Sequence, residues 1–179
     1  MSDPQQHLQD LDDRIESRVQ TIRAERDWWP CQRGCDHCCR HLAHPPEISQ
    51  AEWDRVDAAV AALPEAERAV VEQRIQELLA QIAADAVGNA VVCPYLNEAE
   101  GACRIYASRP IPCRTYGFFV ARDHDQYCHQ IEQEIRDRPD EVIIWGNAET
   151  LRQEVAQISS APIPFEQHYL SSTMRPRPA

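Results

Sequence analysis

A mainly α, single-domain protein with a helical hairpin and an irregular cysteine-rich metal-binding core is the fold the sequence predicts, and three observations predict it. Apolar residues recur at steps of three and four in two long stretches. Prolines and eight cysteines fill the segments between. A length of 179 residues with 43% hydrophobic content suits one core and leaves little room for a second. The domain is expected over 1–179, with the cysteine region at 31–128, the hairpin inside it at 49–87, and a loose tail over 171–179.

Leu8, Leu11, Ile15, Val19 and Ile22, separated by charged residues, form one face of an amphipathic helix running from Gln5 to Trp28. Trp28-Trp29-Pro30 ends it and delivers the chain into a knot, Cys31 to Cys39, which contains Gly34, lacks periodicity and reads as a loop. After Pro45-Pro46 a helix begins at Ser49, with Glu52 completing a capping box, and runs to Ala62. Pro64 suits the first turn of the next helix, where Val71, Ile75, Leu78, Leu79, Ile82 and Ala86 form one face and Gly88 follows the end. This hairpin, Ser49 to Val87, carries the chain away from Cys39 and returns it near Cys93, and its stripe is expected to pack on the first helix. Val91 to Val120 reads mainly as turns, with short strands at Ala90–Val92 and Cys103–Tyr106. Gln126 to Asp137 is a helix with Cys128, Ile131 and Ile135 on one face. Val142-Ile143-Ile144-Trp145 reads as a buried strand or a tight connection, Ala148 to Ile158 as the last helix, and the Pro-rich end as loose.

Composition removes several function classes. No run approaches the ~18 consecutive apolar residues of a membrane span, and the N-terminus, Met1 to Gln6, lacks the charged start and apolar run of a secretory signal. The expectation is a cytoplasmic protein with no membrane partner. A net charge of −11 with no basic stripe argues against nucleic acid, since Arg175-Pro176-Arg177-Pro178 is too short to supply one. All 18 basic residues are arginine, which excludes a lysine base, a Schiff base and a P-loop lysine from this chain. The absence of lysine is read as a property of the source genome.

In a reducing cytosol, eight thiols point to metal ligation or redox chemistry rather than a disulfide framework. Cys31, Cys35, Cys38 and Cys39 lie within nine residues, and thiolates crowded into one short segment suit a soft cation. Cys93, Cys103 and Cys113 follow, and Cys128 is a further candidate ligand. Cys93-Pro94 fixes an extended backbone beside its thiolate, and Pro112 does the same on the approach to Cys113. Eight thiolates exceed one tetrahedral zinc, so two sites, or one cluster and a separate zinc, would use them all. Adjacent Cys38 and Cys39 suit two neighbouring centres, or one or two cysteines are simply small buried residues.

The knot Cys31-x3-Cys35-x2-Cys38-Cys39, the step Cys93-Pro94-Tyr95-Leu96 and the stretch Cys103-Arg104-Ile105-Tyr106 to Arg109-Pro110-Ile111-Pro112-Cys113-Arg114-Thr115-Tyr116 together resemble the CxxCxxCC family of zinc- or iron-chelating proteins. A related domain occurs in bacterial flagellin lysine N-methylases. Asp36 stands where many members carry glycine. The resemblance implies a metal centre, zinc or iron–sulfur (4Fe-4S included), in a bacterial protein.

Arg104, Arg109 and Arg114 lie beside cysteines and either offset thiolate charge or pair with carboxylates. Tyr106 and Tyr116 read as packing residues. His37 and His41 adjoin the knot, His44, His124 and His129 are more remote, and His7 and His168 look peripheral; each is assigned a hydrogen-bonding role ahead of ligation. Three functions follow. The first is a metal-binding protein, redox-active or structural, whose surface meets another protein. The second is an iron–sulfur-dependent methyltransferase or oxidoreductase acting on a partner protein, suggested by the C-x3-C-x2-C spacing of Cys31, Cys35 and Cys38, which could leave one iron open. The third is a zinc-stabilised interaction module. The balance tilts to a solvent-reachable iron–sulfur centre, and no catalytic or cofactor-binding residue beyond the cysteines is assigned.

Overall fold

In chain order the helices are α1 (Pro4–Ala24), α2 (His37–Arg40), α3 (Gln50–Ala61), α4 (Glu65–Ala83), α5 (Ile111–Thr115), α6 (His129–Arg136), α7 (Ala148–Ile158) and α8 (Phe165–Ser172). The strands are β1 (Leu96–Asn97), β2 (Ala102–Cys103), β3 (Phe119–Val120) and β4 (Gly146–Asn147), and a 3-10 turn spans Tyr106–Ser108. These come from a computed structural model that describes residues 3–84, 90–121, 127–158 and 161–172. The chain is mainly α, as expected. It divides into two units: unit 1 contains residues 1–35 and 110–160, and unit 2 contains 36–109 and 161–179.

Unit 1 is organised by α1. Its periodic face, Leu8, Leu11, Ile15, Val19 and Ile22, is buried in full, and Asp3 caps its N-terminus by accepting from the Gln5 amide. The helix stops at Ala24, four residues before the expected Trp28, because the next side chains have tertiary partners. Arg26 is buried and donates to the Val142 carbonyl at 2.8 Å. Trp29 is buried against Trp28, Phe118 and Trp145. The face of α1 meets α5 and α7, and Arg114 on α5 pairs with buried Asp12 at 3.2 Å. β3 and β4 pair in parallel, Phe119 opposite Gly146. The segment 142–145 is not a buried strand: Val142 and Ile144 are 77% and 67% exposed, while Trp145 packs on Trp29 in the aromatic cluster. α6 starts at His129 with Cys128 as N-cap, and Gln126 lies outside the described residues.

Unit 2 is organised by the hairpin of α3 and α4. The Ser49–Glu52 capping box is complete: the Glu52 carboxylate accepts from the Ser49 amide at 3.0 Å, and the Ser49 hydroxyl accepts from the Glu52 amide. Pro64 is the N-cap of α4 rather than a residue of its first turn. Val71, Ile75, Leu78 and Leu79 are buried as the spacing requires, whereas Ala86, Val87 and Gly88 lie outside the described residues. The stripe is closed within its own unit by Ile48, Val91, Tyr95, Ile105 and Phe165, so the first helix is not what buries it.

The knot is not all loop, because residues 37–40 make the single turn of α2. The expected strands shrink to a Leu42–Val91 bridge and the two-residue pair β1–β2. Ala148–Ile158 is not the last helix: α8 follows, held because Phe165, His168 and Tyr169, at helical spacing, pack around Trp53. Of the tail, residues 173–179 lie outside the described residues.

Candidate metal centres

The two units divide the cysteines evenly. Unit 2 holds Cys38, Cys39, Cys93 and Cys103, while unit 1 holds Cys31, Cys35, Cys113 and Cys128. None is in a disulfide, and all eight are half-buried.

In unit 2, backbone pairing assembles the set. α2 carries Cys38 and Cys39, whose sulfurs stand 4.0 Å apart. Leu42 and Val91 exchange both backbone hydrogen bonds, and the Cys93 amide donates to the Cys39 carbonyl at 2.7 Å, so the residues entering Cys93 are laced to those leaving α2. A tight turn, closed by the Leu96 amide on the Cys93 carbonyl, then leads into β1. The β1–β2 hairpin reverses through Gly101 at φ +62° and places Cys103 opposite Leu96.

The thiols of this set act on one another. Burial and the hydrogen bond with Cys39 push the Cys38 thiol far above the usual range, the hydrogen bond being the larger cause. For Cys39 the hydrogen bond from Cys38 lowers the value, but the bond to Cys93, burial and the charges of Cys93 and Cys103 outweigh it, and the thiol is pushed up to about 12. Burial raises Cys103. Arg109 opposes the shifts of Cys38 and Cys103, favouring their thiolates, while it lies over the Tyr106 ring at 3.7 Å. Of the three arginines singled out in the sequence, Arg109 is the one whose charge acts on Cys38 and Cys103. Arg104 pairs with Glu67 at 3.0 Å, and Arg114 with Asp12 in unit 1.

In unit 1, contacts around Cys31 and Cys35 reach the segments that carry Cys113 and Cys128. The Arg23 guanidinium forks onto the Cys31 carbonyl, at 2.9 and 2.6 Å. Beneath the Cys31 sulfur lies Gly117, at φ +82°, where an added Cβ would stand 2.8 Å from that sulfur and 2.8 Å from Ile131 Cδ1. Only glycine permits both that backbone conformation and that approach. Ile131 belongs to α6, whose N-cap is Cys128, and the neighbouring Gln130 accepts from the Cys35 thiol at 3.8 Å. Cys113 sits in α5, its amide turned onto Pro110. Gly117, Gln130 and Arg23 were not singled out in the sequence. Gly117, three residues beyond the Pro112-Cys113-Arg114 run, carried the one local signal, a glycine closing a turn.

The histidines have other work. His41 stacks on His37 at 4.4 Å and bonds its carbonyl, and His44 bonds the Pro45 carbonyl. His168 is not peripheral but buried, stacked on Trp53 at 4.3 Å and bonded to Asp57 at 3.0 Å. His7 and His129 are exposed, and His124 lies outside the described residues. Among the described residues, no three Cys, His, Asp or Glu side chains are arranged to hold one metal ion. Nor is any described helix long and apolar enough to cross a membrane.

Residues 30–139 match the model of the family named CxxCxxCC and described as a "putative zinc- or iron-chelating domain". The chain belongs to the CxxCxxCC family. The matched span covers more than half of the chain and contains every one of its cysteines. No curated protein and no solved structure matches the chain. The donor chemistry of this CxxCxxCC protein fits the metals in the family's description. Thiolates bind zinc and iron strongly, and a set of four completes a tetrahedral ion or the ligand shell of an iron–sulfur cluster. Unpaired with a cation, the Cys38, Cys39 and Cys103 thiols resist ionisation, and a divalent ion would reverse that by turning mutual repulsion into shared attraction.

Proposed function

We propose that this CxxCxxCC protein binds metal at two four-thiolate centres, one in each unit. Cys38, Cys39, Cys93 and Cys103 would hold one, and Cys31, Cys35, Cys113 and Cys128 the other. The observation that carries the reading is the even division of the cysteines between the units, with direct links between thiols in unit 2 and, in unit 1, contacts of Cys31 and Cys35 with residues next to Cys128 and shortly after Cys113. In unit 2 the 4.0 Å between the Cys38 and Cys39 sulfurs supports a single ion. Metal–sulfur bonds of ~2.3 Å give a tetrahedral edge of about 3.8 Å, whereas ligands on separate irons of a cluster stand further apart. Zinc is the ion that a single four-thiolate site would suit best. The unit 1 set suits a second zinc or an iron–sulfur cluster.

Bound zinc would supply a crosslink that stabilises the fold, and a cluster would supply one-electron transfer to a partner protein. The methyltransferase reading needs Cys31, Cys35 and Cys38 on one cluster with an open iron. The pairing of Cys38 with Cys39 and its electrostatic coupling to Cys103 favour the closed reading instead. The test is anaerobic purification followed by metal and acid-labile sulfide analysis. The expected result is two centres per chain, at least one of them a metal ion without sulfide. A protein that is empty, or whose metal is all iron accompanied by sulfide, overturns it.

A further inference from the structure

Unit 1 also contains a cavity of about 270 Å³ that takes no part in the cysteine chemistry. Its floor is apolar and buried: Ile15 of α1, Phe119 of β3 and Leu151 of α7. Gly146 keeps that floor flat, because a Cβ there would stand 2.2 Å from the Phe119 ring. The wall carries two arginines one helical turn apart on α1. Arg14 is held by a two-pronged ion pair to Glu154 of α7, at 2.5 and 3.0 Å. Arg18 is half-buried and has no hydrogen-bond or carboxylate partner among the described residues. In a chain of net charge −11, a half-buried guanidinium with neither a carboxylate nor a carbonyl to bond among the described residues leaves a positive charge beside the apolar floor.

We propose that this cavity binds a small monocarboxylate with a short apolar body, the carboxylate on Arg18 and the body on Ile15, Phe119 and Leu151. A planar guanidinium fork matches a carboxylate in two parallel hydrogen bonds. The charges of the wall limit the ligand to one negative charge: Arg14 and Glu154 cancel, Arg18 leaves a single positive charge, and Glu154 repels a dianion. The volume sits just below the range of about 300–1,000 Å³ usual for ligand pockets, which limits the apolar body to a few carbons.

Ligand-observed NMR on the intact, metal-loaded protein tests this with acetate, butyrate and hexanoate beside the alcohols of equal chain length. Saturable binding of the carboxylates is expected, tighter for butyrate and hexanoate than for acetate, with each alcohol weaker by about tenfold or more. Arg18→Gln should weaken carboxylate binding by about tenfold or more. Arg152→Gln, an exposed position on α7 outside the cavity, should leave it unchanged. Equal binding of carboxylates and alcohols by the unmodified protein overturns the proposal whether or not the Arg18 variant folds. So does an absence of saturable binding, or undiminished binding by a folded Arg18→Gln protein.

Discussion

The two cysteine sets are built by different physics. In unit 2 the backbone brings the thiols together: a bridge at Leu42–Val91, one turn of helix and a two-residue hairpin position Cys38, Cys39, Cys93 and Cys103. In unit 1 the cysteines are set by packing instead, with Arg23 gripping the Cys31 carbonyl, and Gly117 and Gln130, from distant segments, meeting Cys31 and Cys35. A set built on ladder hydrogen bonds depends on local pairing, whereas one closed by packing depends on the whole core around it. The two should therefore fail in different ways.

The largest contrast comes from removing metal altogether. Metal binding is coupled to folding, so chelation should lower the melting temperature of the protein by far more than any point substitution outside the cysteines. Unit 2, whose thiols crowd one another, should lose amide-exchange protection around Cys93–Cys103 first. Unchanged melting after complete chelation would deny the centres a structural role.

Leu78→Ala separates hydrophobic stability from metal binding within unit 2. Leu78 is buried in the hairpin core, and its truncation should cost about 2–5 kcal/mol in chemical denaturation while metal content stays the same. Gly117→Ala is the counterpart in unit 1. There a left-handed backbone and a 2.8 Å contact with the Cys31 sulfur should cost about 1–3 kcal/mol and weaken metal retention as well, read by denaturation and by competition with a chelator. If Gly117→Ala left metal retention intact, closure by packing would not be what holds the unit 1 set.

The smallest effect concerns pH. In the metal-free protein the folded Cys38, Cys39 and Cys103 thiols have raised pKa values, Cys39 to about 12. A group raised on folding contributes stability that is full below its unfolded value, about 8.5, and is lost as pH rises through its folded value. The metal-free protein should therefore weaken from about pH 9 towards 12. The loaded protein, already holding thiolates, should show no such loss in that window, and instead release metal as acid competes for sulfur. Calorimetric melting from about pH 6 to 11, with and without chelator, distinguishes the two slopes.

Much of this was written locally in the chain. The five apolar residues of α1 are buried as their spacing demands, the Ser49–Glu52 box caps α3, and α7 has the bounds its pattern suggests. What failed depended on contacts remote in sequence. α1 ends early because Arg26 and Trp29 find partners more than 80 residues away, at Val142 and Phe118. α8 was hidden among prolines because the partners of its aromatic face, Trp53, Asp57 and Tyr95, lie about 70 to 115 residues away. The eight cysteines were legible as candidate ligands, but their division between the units was not. Cys35 and Cys38 are three residues apart and read as one knot, yet the unit boundary falls between them. The unit 2 cysteines are nested inside those of unit 1 in sequence, a pattern that spacing alone does not reveal.

The division is most directly tested by metal analysis of two single variants, Cys103→Ser in unit 2 and Cys128→Ser in unit 1, each purified anaerobically beside the unmodified protein. Each variant should lose one centre and keep the other, so the two losses are different and together account for all the metal. Loss of all metal in both variants, or of the same centre in both, would contradict two separate four-thiolate sets.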